Sequence, residues 1–250
     1  MNQRVIRGQG TSEAVWAAWP GLATLPRVRP EQLVPAGHRA VIVAPHPDDE
    51  ILGLGGMLAE LTDLGREILL IAATDGTASH PHSATLTERR LGSIRAAETV
   101  EALHRLGVHR LTTLRLRLPD GALTAARATL EAEIKHCLRP MDVVFSTWRF
   151  DGHPDHEAAG RAARDAAADA AVPFVEVPIW AWHWAQPGDR SIPWARARRL
   201  ELPPPIFERK RRAAAAYASQ ISVELRRDLA PVIPPFALAR LLRTFEVAFV

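Results

Sequence analysis

The chain has one cysteine, Cys137, and one tyrosine, Tyr217, among its 250 residues. A single thiol excludes any intrachain disulfide framework, so the fold must rest on its core, and a reducing compartment is the natural setting. Cys137 falls in a helical pattern just before a strand pattern, which reads as packing rather than as a nucleophile. No run of about 18 apolar residues occurs, the length that a membrane-crossing helix needs. The apolar stretch from Ala14 to Leu25 is broken by Pro20 and Gly21 and preceded by Glu13, which spoils a signal-peptide core. A soluble, cytoplasmic protein is expected. Charge excess is small too: 31 Lys and Arg against 28 Asp and Glu leave a formal net charge of +3. With no RNA- or DNA-binding motif, that excess argues against nucleic acid as a partner, and the clustered arginines read as a solvated face or as contacts to a substrate phosphate. Apolar residues are plentiful at 47%, enough for a sizeable core.

Apolar, β-prone runs at 39–45, 67–73, 110–116, 142–147 and 173–179 alternate with helical patterns at 49–65, 85–106, 124–138 and 155–170. That alternation predicts an α/β fold, a Rossmann-like and mainly parallel sheet with helices on both faces, in a single domain. Residues 1–38, rich in Pro, Gly and Trp, read as an N-terminal extension on a main domain at 39–250, with Trp16 and Trp19 as anchors. Gly53, Gly55 and Gly56 lie inside the first helical pattern rather than before it, so they suit close helix-to-sheet packing and not a dinucleotide loop. Further on, the indoles of Trp180, Trp182 and Trp184 alternate as at a half-buried strand end, and also offer faces on which a sugar could stack. His183 between them reads as an ordinary polar contact. Residues 196–202 fit a strand, and 206–220 a helix.

Two segments carry the chemistry. Residues 44–50 read Ala-Pro-His-Pro-Asp-Asp-Glu and residues 151–157 read Asp-Gly-His-Pro-Asp-His-Glu, each where a strand pattern hands over to a helix pattern. Proline suits a first helical position, so Pro47 and Pro154 put His46 and His153 near N-caps, with Asp49 and His156 three residues later. The acids alone would favour any helix N-terminus, but a histidine there is sensible chiefly as a neutral ligand to a cation. His46, Asp49 and His156 are the expected ligands. Two nitrogens and one carboxylate suit zinc with an open position for water, and ferrous iron is the chemical competitor for the same set.

On those motifs the chain resembles the PIG-L/LmbE-like family of zinc-dependent N-deacetylases. Thr74-Asp75-Gly76, Arg95-Ala96-Ala97-Glu98 with Leu106-Gly107-Val108, and Leu118-Pro119-Asp120-Gly121 follow in the family's order, and Ser219-Gln220 is similar to the pair that closes its late helix. The resemblance implies that His46, Asp49 and His156 bind zinc, that Asp48 is the general base, and that His153 stabilises the oxyanion, oriented by Asp155; a protonated His153 could share the oxyanion's charge with zinc. It also implies that Arg95 and Asp120 bind substrate; an Arg95 to Glu98 helix pair and an Asp120-Gly121 turn are the plain structural alternatives. Relatives acting on thiol-precursor glycosides carry a tyrosine two residues before the second motif's first histidine, where this chain has Asp151. His80 and His82 sit in the loop after Gly76, where they could line a site mouth or be exposed.

The expected activity is removal of an acetyl or other acyl group from an N-acetylglucosamine-type sugar or a phosphate- or nucleotide-linked conjugate. An amidase for a larger amide, a metal-dependent phosphoesterase and a non-catalytic sugar-binding protein are the rivals, the last disfavoured by the intact Asp48. The sequence leaves the oligomeric state open, a homo-oligomer included.

Overall fold

The computed structural model describes residues 4–81, 83, 85–222 and 231–250; His82 lies outside the described residues. Strands β1 (Arg39–Ala44), β2 (Glu67–Thr74), β3 (Leu111–Leu118), β4 (Asp142–Thr147), β5 (Phe174–Val177), β6 (Ala197–Glu201) and β7 (Phe245–Phe249) form one sheet in the order β3-β2-β1-β4-β5-β7-β6. The first five run parallel and β7 is antiparallel to both its neighbours. The expected α/β architecture is therefore present, with an antiparallel pair closing one side. No described helix is long and apolar enough to cross a membrane.

The central strands are near-continuous apolar runs because both faces are covered. In β1, Ala40, Ile42 and Ala44 point into a core shared with the Asp49–Asp63 helix, while Val41 and Val43 point into a second core under the Leu123–Cys137 and Pro154–Asp169 helices. The second core admits its helix closely because Ala158, Ala159, Ala162, Ala163, Ala166 and Ala167 are all buried. Edge strand β3, Leu-Thr-Thr-Leu-Arg-Leu-Arg-Leu, alternates as a strand with one wet face should. Cys137 is half-buried against the second core, as packing.

The N-terminal residues belong to the first core. Trp16 is fully buried, its indole N–H donates to the Trp182 carbonyl at 2.8 Å, and the two rings meet edge to face at 5.1 Å. Trp19 packs on Trp194 at 4.7 Å. The Trp180–Trp184 segment departs from the expected strand end and forms a short helix, Ala181–Trp184. The cause is Asp151, whose carboxylate accepts the backbone N–H groups of Ile179, Trp180 and Ala181 at 2.9–3.0 Å and so winds the chain into a turn. The expected 206–220 helix is also divided, into Pro204–Ala214 and Ala218–Ile221. Of the three glycines in the Asp49–Asp63 helix, Gly53 meets the sheet side: a Cβ there would lie 2.9 Å from Ile179 Cδ1 and 3.0 Å from Val177 Cγ1. Gly55 and Gly56 instead face Lys210 and Leu202.

Candidate metal centre

The strand order places β1 between β2 and β4, where the chain's progression across the sheet reverses. In such sheets ligands bind beyond the carboxyl ends of the strands at that switch point. The 44–50 turn leaves β1 and the 151–157 turn follows β4, so the topology alone brings the two histidine motifs together.

The two turns are not copies in structure. Pro154 is the first residue of its helix with His153 as N-cap, as the spacing predicts. In the first turn the helix begins two residues later, at Asp49, with Asp48 as N-cap at φ 122°, ψ −31°. Such a conformation costs a non-glycine residue about 1–3 kcal/mol and persists only when its surroundings impose it. Three contacts do so here. Glu50 Oε2 accepts the Asp48 backbone N–H at 3.1 Å, and Arg95 Nη2 donates both to the Pro47 carbonyl at 2.5 Å and to Asp48 Oδ2 at 3.0 Å. Glu50 is held in turn by the Tyr217 hydroxyl, which donates to Oε1, and all four residues are buried. Tyr217→Phe leaves a buried carboxylate oxygen without its donor, so it is expected to lower stability by about 1–3 kcal/mol. Because the freed Glu50 anchors Asp48, turnover should fall while metal content holds, as read by thermal unfolding, elemental analysis and kinetics. Full turnover in a destabilised Tyr217→Phe would make the contact purely structural.

Asp49 Oδ2 is the hub of the ligand group. His46 Nδ1 lies 3.2 Å from it and His156 Nε2 lies 3.3 Å from it. The opposite nitrogens of both rings rest on other carboxylates: His46 Nε2 is 3.2 Å from Asp120 Oδ1 and 3.3 Å from Asp155 Oδ2, and His156 Nδ1 is 2.8 Å from Asp151 Oδ2. A carboxylate behind each imidazole fixes the tautomer that turns a lone pair toward the metal side. The donor set of His46, Asp49 and His156 thus fits a divalent cation, with their ligand atoms all within 4.8 Å of one another. His46, Asp120 and Asp155 form a second group within the same limit, but there the shared His46 would have to present the nitrogen turned away from Asp49.

Two expectations need correction. Asp155 meets His153 through its backbone and not its carboxylate: the carboxylate accepts the backbone N–H groups of Gly121 at 2.7 Å and Leu123 at 3.0 Å and reaches His46, while His153 Nδ1 accepts the Asp155 backbone N–H at 3.2 Å. The surroundings of His153 also disfavour a protonated imidazole. Burial, reinforced by the neighbouring His156 and His46, pushes its pKa down to about 4. With Nδ1 accepting, the neutral ring carries its hydrogen on Nε2 and remains a donor. The neighbouring groups are shifted in both directions. Burial raises Asp48 to about 7 against the pull of Arg95, with Asp49 adding to the rise. For His156, burial disfavours the charged form, but Asp49 and Asp151 outweigh it and raise the ring to about 9. Asp49 lies well below the usual carboxylate range: burial opposes ionisation, and the two histidines overcome it.

Residues 41–167, just over half of the chain, match the family model described as PIG-L, GlcNAc-PI de-N-acetylase. The chain belongs to the PIG-L family. It is 30% identical over 205 residues to a 1D-myo-inositol 2-acetamido-2-deoxy-alpha-D-glucopyranoside deacetylase of Tsukamurella paurometabola, covering 66% of this chain and 68% of that one. It is 30% identical over 140 residues to the diacetylchitobiose deacetylase of Thermococcus kodakarensis, covering 54% and 51%. A solved deacetylase–teicoplanin complex from teicoplanin biosynthesis superposes with a TM-score of 0.64 at 19% identity over 84% of this chain and 96% of that one, a likeness of fold. The chain spans about half the length of the first curated relatives it matches, 51–55%.

In this PIG-L protein the cavity at the ligand group is also lined by Asp48, Arg95, Asp120, His153 and Gln220. Asp120 holds the loop opposite, accepting the Ala78 backbone N–H at 2.6 Å, and is no mere turn residue. The Arg95 to Glu98 pair does not form, because Glu98 accepts from the Ser219 N–H and hydroxyl at 2.7 and 2.6 Å. His80 is buried with its Nδ1 3.0 Å from Ser79 Oγ, and His183 lines the cavity. Trp180 is the indole of its run that reaches the cavity, whereas Trp182 and Trp184 donate to the Pro178 and Asp151 carbonyls and stay in the core. Asp151, Glu50 and Tyr217 were not singled out as site residues by the sequence. For Asp151 a signal existed, an acid five residues before a histidine ligand; for Tyr217, 167 residues from Glu50, none did.

Proposed function

We propose that this protein is a zinc-dependent N-deacetylase that hydrolyses the acetamide of an N-acetylglucosamine-type amino sugar or its conjugate. One observation carries the reading: two carboxylate-backed histidines and a carboxylate converge in a cavity that also holds a separate carboxylate, Asp48, tuned to near neutrality. An amide needs a proton delivered to its leaving amine, which a group near neutrality can supply, whereas the leaving alkoxide of a phosphoester can be stabilised by the metal.

When bound, zinc would supply the Lewis acid that acidifies water and polarises the amide carbonyl. His46, Asp49 and His156 would hold it, and iron(II) is the alternative occupant. Asp48, at about 7, takes the proton of the attacking water and returns it to the departing amine, the double duty that a pKa near neutrality permits. Arg95 donates from Nη1 to Gly76 and from Nη2 to Pro47 and Asp48, which supports a role in holding the base, while its Nε, without a hydrogen-bond partner among the described residues, leaves a donor for the substrate contact that family resemblance implies. His153 donates its Nε2 hydrogen to the carbonyl oxygen as negative charge develops there, a neutral donor in place of an imidazolium. Asp120, beside both the ligands and the loop at Ala78, accepts from sugar hydroxyls. The deacetylated amino sugar and acetate are the products.

The test pairs chemistry with metal. The purified protein is expected to carry about one divalent ion per chain, as a three-ligand site implies, and to release acetate from N-acetylglucosamine or its phosphate- and nucleotide-linked conjugates. A chelator should abolish that release and zinc restore it. An active preparation that is free of metal and indifferent to chelators would remove this reading, and phosphate release without acetate release would replace it with the phosphoesterase.

A further inference from the structure

The cavity that holds the metal ligands has a second cation in its wall. Arg240, on the Pro235–Leu241 helix, lines it and is 3% exposed. Its Nη1 donates to His183 Nδ1 at 3.0 Å, and its Nη2 donates to the Gln9 carbonyl. His183 Nε2 donates to the Arg7 carbonyl at 3.0 Å, which leaves the lone pair on Nδ1 and makes the ring a neutral partner, not a counter-ion. The neighbouring Arg243 is neutralised by Glu13 at 2.6 Å, whereas Arg240 makes no ion pair with any described residue. Its Nε, like that of Arg95, is buried with no hydrogen-bond partner among the described residues.

A buried guanidinium with a vacant donor is costly to keep unless something compensates it, and its planar fork is shaped for a carboxylate or phosphate. The Arg95 guanidinium in the same cavity has the Asp48 carboxylate; Arg240 has none. The same wall also carries apolar side chains, among them Leu52, Ile179, Trp180, Ile233 and Leu241. An anion held at Arg240 would therefore belong to a molecule that also offers apolar surface. We propose that Arg240 forms an anion subsite in this cavity, taking a carboxylate or phosphate carried on an apolar arm of the molecule whose amide is hydrolysed. The proposal rests on the deacetylase reading for the position of the amide only; recognition of the anion is independent of turnover.

The experiment uses N-acetylglucosamine glycosides with alkyl, carboxyalkyl and phosphoalkyl arms of graded length, with affinity measured by calorimetry and acetate release measured separately. At the fitting length, an anionic arm should bind roughly 10- to 100-fold more tightly than the plain alkyl arm, the range of a charge-assisted contact. That preference should fall to about one in Arg240→Met and survive in part in Arg240→Lys, which keeps the charge and loses the fork. The tighter of the two anionic arms tells carboxylate from phosphate. Equal binding of charged and plain arms by the wild-type protein would overturn the subsite, as would a preference undiminished in Arg240→Met. Should Arg240→Met not fold, the wild type and Arg240→Lys still decide it. An anion preference without acetate release from any glycoside would sink the deacetylase reading and leave the subsite standing.

Discussion

Asp48→Asn is expected to keep the fold and most of the metal while lowering turnover by about 10²- to 10⁴-fold, the usual contribution of a general base. Asparagine is among the few residues that tolerate a positive φ, so the backbone at φ 122° can persist, and Arg95 Nη2 can still donate to the amide oxygen. What disappears is the proton acceptor. Asp49→Asn should do the reverse: an amide is a poorer ligand than a carboxylate, and Asp49 Oδ2 faces both His46 and His156, so metal content should drop first. The pH profile adds an independent check. Asp48 is raised to about 7 by burial, so the base is protonated and idle below that value and active above it. Turnover in the wild type should therefore rise with pH through about 7, and this limb should be missing from the residual activity of Asp48→Asn. Metal lost from Asp48→Asn but retained in Asp49→Asn would mean that the two neighbouring acids have exchanged roles; near-normal turnover in Asp48→Asn would remove the base.

The parallel half of the sheet was legible because buried parallel strands declare themselves as apolar runs: Ala40 to Ala44 and Val143 to Thr147 need no partner to be recognised. The candidate ligand triad was legible for the same local reason, since proline, histidine and acids at fixed spacing fall within one turn of a strand end. Three departures from the sequence reading have long-range causes. Trp180–Trp184 looks like a strand from its own residues and is a helix because a carboxylate 28–30 residues upstream collects its N–H groups. His153 looks available for protonation, yet it is largely buried beside two other histidines with centroids 4.8 and 5.0 Å away, and a positive charge on its ring is disfavoured there. Asp155 sits two residues from His153 in sequence but turns its carboxylate to the loop after β3, satisfying Gly121 and Leu123. Spacing reveals which groups can meet. The partner that each one takes is settled by burial and by backbone donors from distant loops.

Lys210→Met is expected to destabilise the protein by about 3–5 kcal/mol, a large share of the roughly 5–15 kcal/mol that holds a domain folded. Lys210 and Glu246 form an ion pair at 2.7 Å with side chains 1% and 2% exposed, packed against the middle of the helix that starts at Asp49. Lys210 Nζ also donates to the Leu52 carbonyl at 2.9 Å, and Glu246 accepts the backbone N–H groups of Gly56 at 2.7 Å and Met57 at 2.9 Å. Removing the lysine alone strands a buried carboxylate, and that uncompensated charge, more than the lost attraction, sets the penalty. The pairing of Lys210→Met with Glu246→Gln should then be milder than Lys210→Met alone. The amide still accepts from Gly56 or Met57, and no unpaired charge remains; Glu246→Leu would forfeit that acceptor and should recover less. Urea unfolding of the three variants measures the differences directly. The contact also bears on the site, because Leu52 is one turn beyond Asp49: folded Lys210→Met should hold its metal less tightly than the double variant does. A Lys210→Met protein within about 1 kcal/mol of the wild type would mean that water reaches Glu246 and that the pair is not buried in solution, since exposed pairs are worth no more than that.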